Sequence, residues 1–105
     1  MCKRWAALAL LGLCAAAAPA PAAEKAEKIR VLLIDGQNNH DWRATTPLLK
    51  SELESTGRFT VDVSSHLKPG DRPGKVETAP FPPDLGKYDV LVSNYNGAPW
   101  PKEFQ

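Results

Sequence analysis

The stretch IRVLLIDG, residues 29–36, holds the clearest structural signal in this sequence of 105 residues. Its first six residues, Ile29 to Ile34, are almost continuously apolar and mostly branched. Such runs are typical of strands that are covered on both faces of a parallel sheet, whereas half-exposed hairpin strands alternate apolar and polar residues. Asp35 and Gly36 then end the predicted strand. The stretch therefore indicates a buried first strand in a parallel sheet.

A helix is predicted next, from Asp41 or Trp42 to Thr56. Gly57 stands just past its end, where glycine is favoured. Asp41 is predicted as the N-cap in preference to a catalytic acid. The residues that recur at three- to four-residue spacing, and so predict the buried face, are Trp42, Thr45 or Thr46, Leu49 and Leu53.

Two further strands are predicted. Phe59–Val63 alternates apolar and polar residues, and Tyr88–Ser93 follows a proline-rich irregular loop, Ser64–Gly86. Strand, helix and strand in succession indicate a parallel βαβ unit with a right-handed crossover. We therefore predict an α/β fold that is incomplete, because one helix covers only one sheet face and the other face is expected to stay wet. Residues 101–105 resemble the approach to a further helix.

The amino-terminal residues predict export. Lys3 and Arg4 precede a run of about 13 apolar residues, shorter than the ~20 that a membrane span needs. Ala20-Pro21-Ala22 then matches the small-residue pattern of a signal peptidase site. We predict a signal peptide over residues 1–22, a flexible tether over 23–28, and a secreted or periplasmic protein without a stable membrane span.

Acylation of Cys14 is the alternative, but Leu13 precedes this cysteine where a small residue is usual. Cleavage after Ala22 would remove both cysteines, Cys2 and Cys14, and with them any disulfide or thiolate site. The chain has 13 Lys and Arg against 12 Asp and Glu, so it has no charge excess to attract nucleic acid. Phosphate-binding glycine loops, the serine nucleophile elbow and the H-E-x-x-H zinc motif do not occur in the sequence.

Polar residues follow the first and third predicted strands. Asp35–Trp42 contains one imidazole, three amides and two carboxylates, and Ser93–Trp100 contains two asparagines and a tryptophan. Ligands of open parallel sheets bind outside the carboxyl ends of the strands, where the strand order reverses. If the first and third strands are neighbours, as in a 2-1-3 order, the two loops face one crevice.

His40 is the candidate catalytic residue, because imidazole can act as base, acid or ligand near neutral pH. Its alternative role is to cap the helix or to bond a loop carbonyl. Asp35 is expected to cap its loop by accepting backbone N–H groups, and His66 is assigned to the distal variable loop. The candidate substrate-binding residues are Gly36, Asn39, Trp42, Asn94, Asn96 and Trp100. Trp42 fits the core-facing helical stripe as well, and Trp100 can equally pack on its own domain. No metal ligand is assigned, and the cofactor is unknown.

Four segments together resemble the trehalose-utilisation (ThuA-like) family: Val31–Gly36, Asn39–Trp42, Phe81–Leu85 and Tyr88–Gly97. The resemblance implies a flavodoxin-like sheet similar to that of class I glutamine amidotransferases, and residues 29–105 would be the amino-terminal, truncated part of such a domain. It also implies a role in sugar or glycoside metabolism with a small carbohydrate as partner. By family position the Gly36–Trp42 loop and Asn94 line the pocket, and the nucleophile of amidotransferase relatives would lie beyond Gln105.

Three functions remain open from the sequence. The first is an exported sugar-processing enzyme, a carbohydrate-active hydrolase or lyase, in which His40 acts as base, acid or ligand while Asn94 and the tryptophans hold the substrate. This activity is expected of the full-length parent protein and not of the fragment alone. The second is a carbohydrate-binding or interaction module without catalysis. The third is an amidotransferase-like hydrolase, which the absence of cysteine after residue 14 disfavours.

Overall fold

The computed structural model describes residues 14–20 and 25–105 of the chain. The predicted signal peptide, residues 1–22, falls mainly outside these ranges and stays a prediction. Residues 14–20 and 25–28 form no regular secondary structure, and their side chains are exposed. Within the described ranges no helix combines the length and the apolar character needed to cross a bilayer.

Three parallel strands form one sheet in the order β2-β1-β3. They are β1 (Ile29–Gly36), β2 (Phe59–His66) and β3 (Val90–Ser93). The most apolar strand, β1, lies in the centre and pairs on both sides. The prediction of an α/β fold with a parallel 2-1-3 order is confirmed, and the sheet is consistent with an incomplete flavodoxin-like arrangement.

Helix α1 (Trp42–Ser55) covers one face of this sheet. The buried cluster on that face is aliphatic and comprises Val31, Leu33, Val61 and Val63, with Leu53 of the helix packed against it. The Asp41 carboxylate accepts the Ala44 N–H at 3.3 Å, so the predicted N-cap is confirmed. Gly57 has φ +73° immediately after the last turn, which explains why glycine ends this helix.

The opposite face is better covered than the sequence indicated. Leu32 and Ile34 point away from the α1 cluster, yet both are fully buried. The Tyr88 hydroxyl donates to the Asp62 carboxylate of β2 at 2.9 Å, so this ring crosses beneath β1. The expectation of a wet second face is therefore wrong for the central strand. It holds at β3, where Leu91, the register partner of Leu32, is 46% exposed.

The second strand is longer than predicted. We assigned Ser64 to the irregular loop, but Ser64, Ser65 and His66 pair with the last three residues of β1. The buried Ser64 hydroxyl donates to the Pro80 carbonyl at 3.0 Å, which satisfies this polar group inside the protein. Short 3₁₀ turns form at Leu85–Lys87 and Lys102–Phe104, and the latter replaces the predicted approach to a helix.

An ion pair fixes β3 against β1 at the amino end of the sheet. Arg30 Nη2 lies 2.9 Å from Asp89 Oδ1, and the Arg30 backbone N–H donates to Asp89 Oδ2 at 2.8 Å. The hydrogen bonds from Arg30 lower the pKa of Asp89 to about 2. Both side chains are exposed, so this pair specifies strand register more than it stabilises the fold.

Candidate functional site

The carboxyl ends of β1 and β3 lie side by side. Ile34 is the register partner of Ser93, and the Asn94 N–H donates to the Ile34 carbonyl at 2.8 Å. The loops that follow the two strands therefore emerge at the same edge of the sheet. This is the arrangement that the sequence predicted for the crevice, and we call residues 36–42 and 93–100 the polar edge.

Gly36 permits a close approach between β1 and β2. Its φ is +117°, and a Cβ atom built there would lie 2.2 Å from the His66 carbonyl oxygen. Only glycine meets both requirements. The next residue, Gln37, donates its N–H to the same carbonyl at 3.2 Å. Gly36 thus determines the backbone path at the end of β1, and its role at the predicted site is structural.

Gln37 holds the second loop of the polar edge, although we did not single it out from the sequence. Its side chain is 7% exposed, and its Oε1 accepts the Ala98 N–H at 3.0 Å. Its backbone carbonyl accepts the Asn96 N–H at 2.9 Å. A Cβ atom on Gly97 would lie 2.2 Å from the Gln37 Cβ, so the two loops are in tight contact. The only sequence signal for this role of Gln37 was the position of its amide immediately after a buried strand.

Asn94 joins the third strand to helix α1. Its Nδ2 donates to the Thr45 and Thr46 hydroxyls at 3.0 and 3.1 Å. Its backbone carbonyl and Oδ1 accept from Asn38 Nδ2 at 3.0 and 3.3 Å. Both amide protons are used within the protein, so Asn94 positions the loops instead of presenting free donors to a ligand.

Five polar side chains of the polar edge are exposed: Asp41 and Ser93, and the group Asn39, His40 and Asn96. Asn96 Nδ2 donates to Asn39 Oδ1 at 3.2 Å and links the two loops at their outer surface. The His40 backbone N–H donates to Asn38 Oδ1 at 3.1 Å, while its imidazole has no hydrogen-bond partner among residues 25–105. These three side chains are brought together by the fold and are accessible to a ligand.

The two tryptophans of the predicted site are mainly packed inside the chain. Trp42 is 4% exposed in the α1 stripe, and Arg43 Cζ lies 4.3 Å from the centre of its ring. Trp100 lies between Tyr95 and Phe104, with ring centroids 5.5 and 5.3 Å away. Of the alternatives open from the sequence, the structure shows the packing role for both residues.

Asp35 differs from its expected role. It is fully buried, and its Oδ1 accepts from the Ser65 hydroxyl instead of from loop N–H groups. Its Oδ2 has no partner among the described residues. Burial raises the pKa of this carboxyl, against smaller opposing effects from Ser65, Thr46 and Arg43. Buried carboxylates are costly unless they are paired, which is why burial moves the pKa of Asp35 upward.

The free energy of unfolding should therefore change with pH through the titration of Asp35. An acid whose pKa is raised by folding binds its proton more tightly in the folded state, so its stabilising contribution is complete below the unfolded pKa, ~3.9, and is lost as the pH rises through the folded pKa. We expect Asp35→Asn to remove this decline. Urea unfolding of both proteins between about pH 4 and 8 measures it. The pKa shift of Asp89 acts in the opposite direction, but it is the same in both proteins and cancels when their free energies of unfolding are subtracted. If that difference stays constant with pH, the raised pKa of Asp35 is contradicted.

His66 lies beside the polar edge, which corrects its assignment to the distal variable loop. It is the last residue of β2 and the register partner of Gly36. Its ring stacks on Phe81 with centroids 4.5 Å apart and an angle of 6° between the planes. Its Nδ1 lies 3.0 Å from the Tyr95 hydroxyl. A lone histidine after two serines carried no strand signal, so sequence reasoning missed it.

Two hollows on the described chain lie away from the polar edge. One is lined by Lys50 of α1, residues 61–63 of β2 and residues 77–79, and the other by Arg43 and residues 70–75. Within residues 14–20 and 25–105, no three His, Cys, Asp or Glu side chains are grouped as metal ligands would be. The chemistry available at the edge is that of amides and imidazoles, which donate and accept hydrogen bonds and can move a proton.

Fold and edge together define an α/β protein with a parallel sheet and a polar edge at its carboxyl ends. No protein-family profile matches the chain, and no curated protein matches it. A crystal structure of a protein described as ThuA-like, from Parabacteroides merdae, is similar over 74% of this chain, with 40% sequence identity and a TM-score of 0.58. The chain is ThuA-like, as its sequence predicted. It spans about a quarter, 26%, of that protein's length.

Proposed function

We propose that this chain contributes a carbohydrate-binding edge to an exported ThuA-like protein that acts in sugar or glycoside metabolism of the trehalose type. The observation that carries the proposal is the meeting of exposed Asn39, His40 and Asn96 at one edge of the sheet. Amide groups both donate and accept hydrogen bonds, which suits ligands rich in hydroxyl groups. The predicted signal peptide supports a secreted or periplasmic location.

In this proposal the exposed and buried residues have different roles. Asn39 and Asn96 orient the sugar hydroxyls, and His40 accepts or delivers a proton. Gln37 and Asn94 hold the two loops in place through the bonds described above. Trp42 and Trp100 are packed against their own chain and belong to the two segments of the polar edge, so their fluorescence can report on it.

A carbohydrate-binding module without catalysis is the second candidate. The observation that favours it is the unpartnered His40 imidazole, since catalytic bases are commonly oriented by a further hydrogen-bonding group. Binding and turnover have to be measured separately to choose between the two functions. Trehalose and a simple glucoside are suitable probes, with tryptophan fluorescence reporting binding and sugar release reporting turnover.

Replacing His40 by alanine separates the two candidates. Loss of a general acid or base typically slows a reaction by about 10²–10⁴-fold, so we expect the kcat of the full-length protein to fall by that factor while its Kd for trehalose changes far less. Glu52→Ala, on the exposed part of α1, is the matched control and should leave both values unchanged. Binding without sugar release by the unsubstituted protein favours the module, and unchanged turnover in the His40 variant excludes His40 as the proton-transfer group.

A further inference from the structure

A second imidazole is held more firmly at this edge than His40. The ring of His66 has Phe81 on one side at 4.5 Å, and Tyr95 lies 5.7 Å away at 21°. Its backbone carbonyl accepts the Gln37 N–H, so its main chain is fixed to the exit of β1 as well. A side chain held in this way loses little freedom when it meets a ligand, which is the condition for a preorganised functional group.

The hydrogen bonds around Tyr95 determine which ring nitrogen of His66 carries the proton. The Tyr95 hydroxyl has one hydrogen and donates it to the Ala98 carbonyl at 2.6 Å. Its oxygen can therefore only accept from His66 Nδ1, 3.0 Å away. Nδ1 must carry a hydrogen, and in the neutral ring Nε2 then bears the lone pair.

The lone pair on Nε2 is not used within the described residues. This atom makes no hydrogen bond there, and it is not among their buried unpartnered polar atoms, so it is not completely buried. The same contacts join it to the polar edge, because Ala98, which receives the Tyr95 bond, also donates its N–H to Gln37. An oriented imidazole with a free lone pair is the arrangement that general bases use.

We propose that His66 is a ligand-binding residue beside the polar edge and that Tyr95 is the positioning residue that fixes its neutral tautomer. The ligand class is the hydroxyl-bearing carbohydrate of the proposed function, on which this inference rests. His66 Nε2 accepts a hydrogen bond from a hydroxyl group of the ligand, while the hydrogen on Nδ1 remains bonded to the Tyr95 oxygen.

Nitrogen NMR of the full chain tests this assignment, because the chemical shifts of the two ring nitrogens distinguish the tautomers. We expect neutral His66 to carry its proton on Nδ1 alone in the unsubstituted protein. Tyr95→Phe keeps the aromatic ring and removes the acceptor oxygen, so the single tautomer should be lost. Tyr88→Phe is the matched control, because its hydroxyl bonds Asp62 elsewhere on the sheet. His40, the other histidine of the sequence, is the internal reference.

Addition of trehalose completes the test. A shift of the His66 Nε2 resonance, and a rise in the Kd for trehalose for His66→Gln, support the proposal. A proton on Nε2 in the unsubstituted protein overturns it, as does a carbohydrate that shifts His40 but leaves His66 unmoved. If carbohydrate shifts neither histidine, the proposed function fails and the carbohydrate assignment of His66 fails with it. The positioning role of Tyr95 is judged separately, by the tautomer of His66 in the absence of carbohydrate.

Discussion

Replacement of Gly36 by alanine is expected to remove cooperative folding of the chain. The new methyl group would lie 2.2 Å from the backbone carbonyl oxygen of His66 and 2.7 Å from its carbon. These are main-chain atoms, so no side-chain rotation relieves the clash, and β1 and β2 must separate. The φ of +117° adds strain of its own for a residue with a Cβ atom. We expect a loss of more than about 4 kcal/mol in the free energy of unfolding, measured by urea denaturation.

Gly57→Ala is the matched control for this experiment. Gly57 also has a positive φ, +73°, but no atom lies within 4 Å of a Cβ built there. Only the backbone strain remains, and we expect a loss of about 1–2 kcal/mol. Equal losses for the two variants would show that the approach of Gly36 to His66 contributes nothing beyond its φ angle.

Replacement of Asn94 by alanine should have the second largest effect on stability. The side chain makes three hydrogen bonds, to Asn38, Thr45 and Thr46, which connect β3 to both the first loop and α1. At ~0.5–1.5 kcal/mol for each bond, we expect a loss of about 2–4 kcal/mol. Denaturation followed by tryptophan fluorescence is suitable, because Trp42 lies at the start of α1 and Trp100 follows β3.

Asn96→Ala provides the comparison at the same edge. Asn96 is exposed, and its side chain makes one hydrogen bond, to Asn39. We expect it to lower stability by less than about 1 kcal/mol, since an exposed amide regains its hydrogen bonds from water. If Asn96→Ala destabilises the protein as much as Asn94→Ala, the division into holding and ligand-facing residues is wrong.

The elements whose contacts are local could be predicted from the sequence. The apolar run at Ile29–Ile34 predicted a central strand, because a strand that is buried on both faces of the sheet has no polar side. The α1 helix was predicted by its own spacing, its Asp41 cap and the glycine that ends it, all of which act within one or two turns. The adjacency of the two polar loops followed from the parallel order, since neighbouring parallel strands end at the same edge.

Contacts between distant residues could not be predicted in this way. Ser64, Ser65 and His66 look like a loop, and they form a strand because the last residues of β1 supply their backbone partners. Tyr95 reaches His66 across 29 positions of sequence. The spacing of apolar residues and the capping residues of the sequence thus determined the α/β class and the positions of the two loops that form the polar edge. The tertiary structure alone selected which side chains hold that edge and which face solvent, because packing and hydrogen-bond pairing depend on neighbours in space.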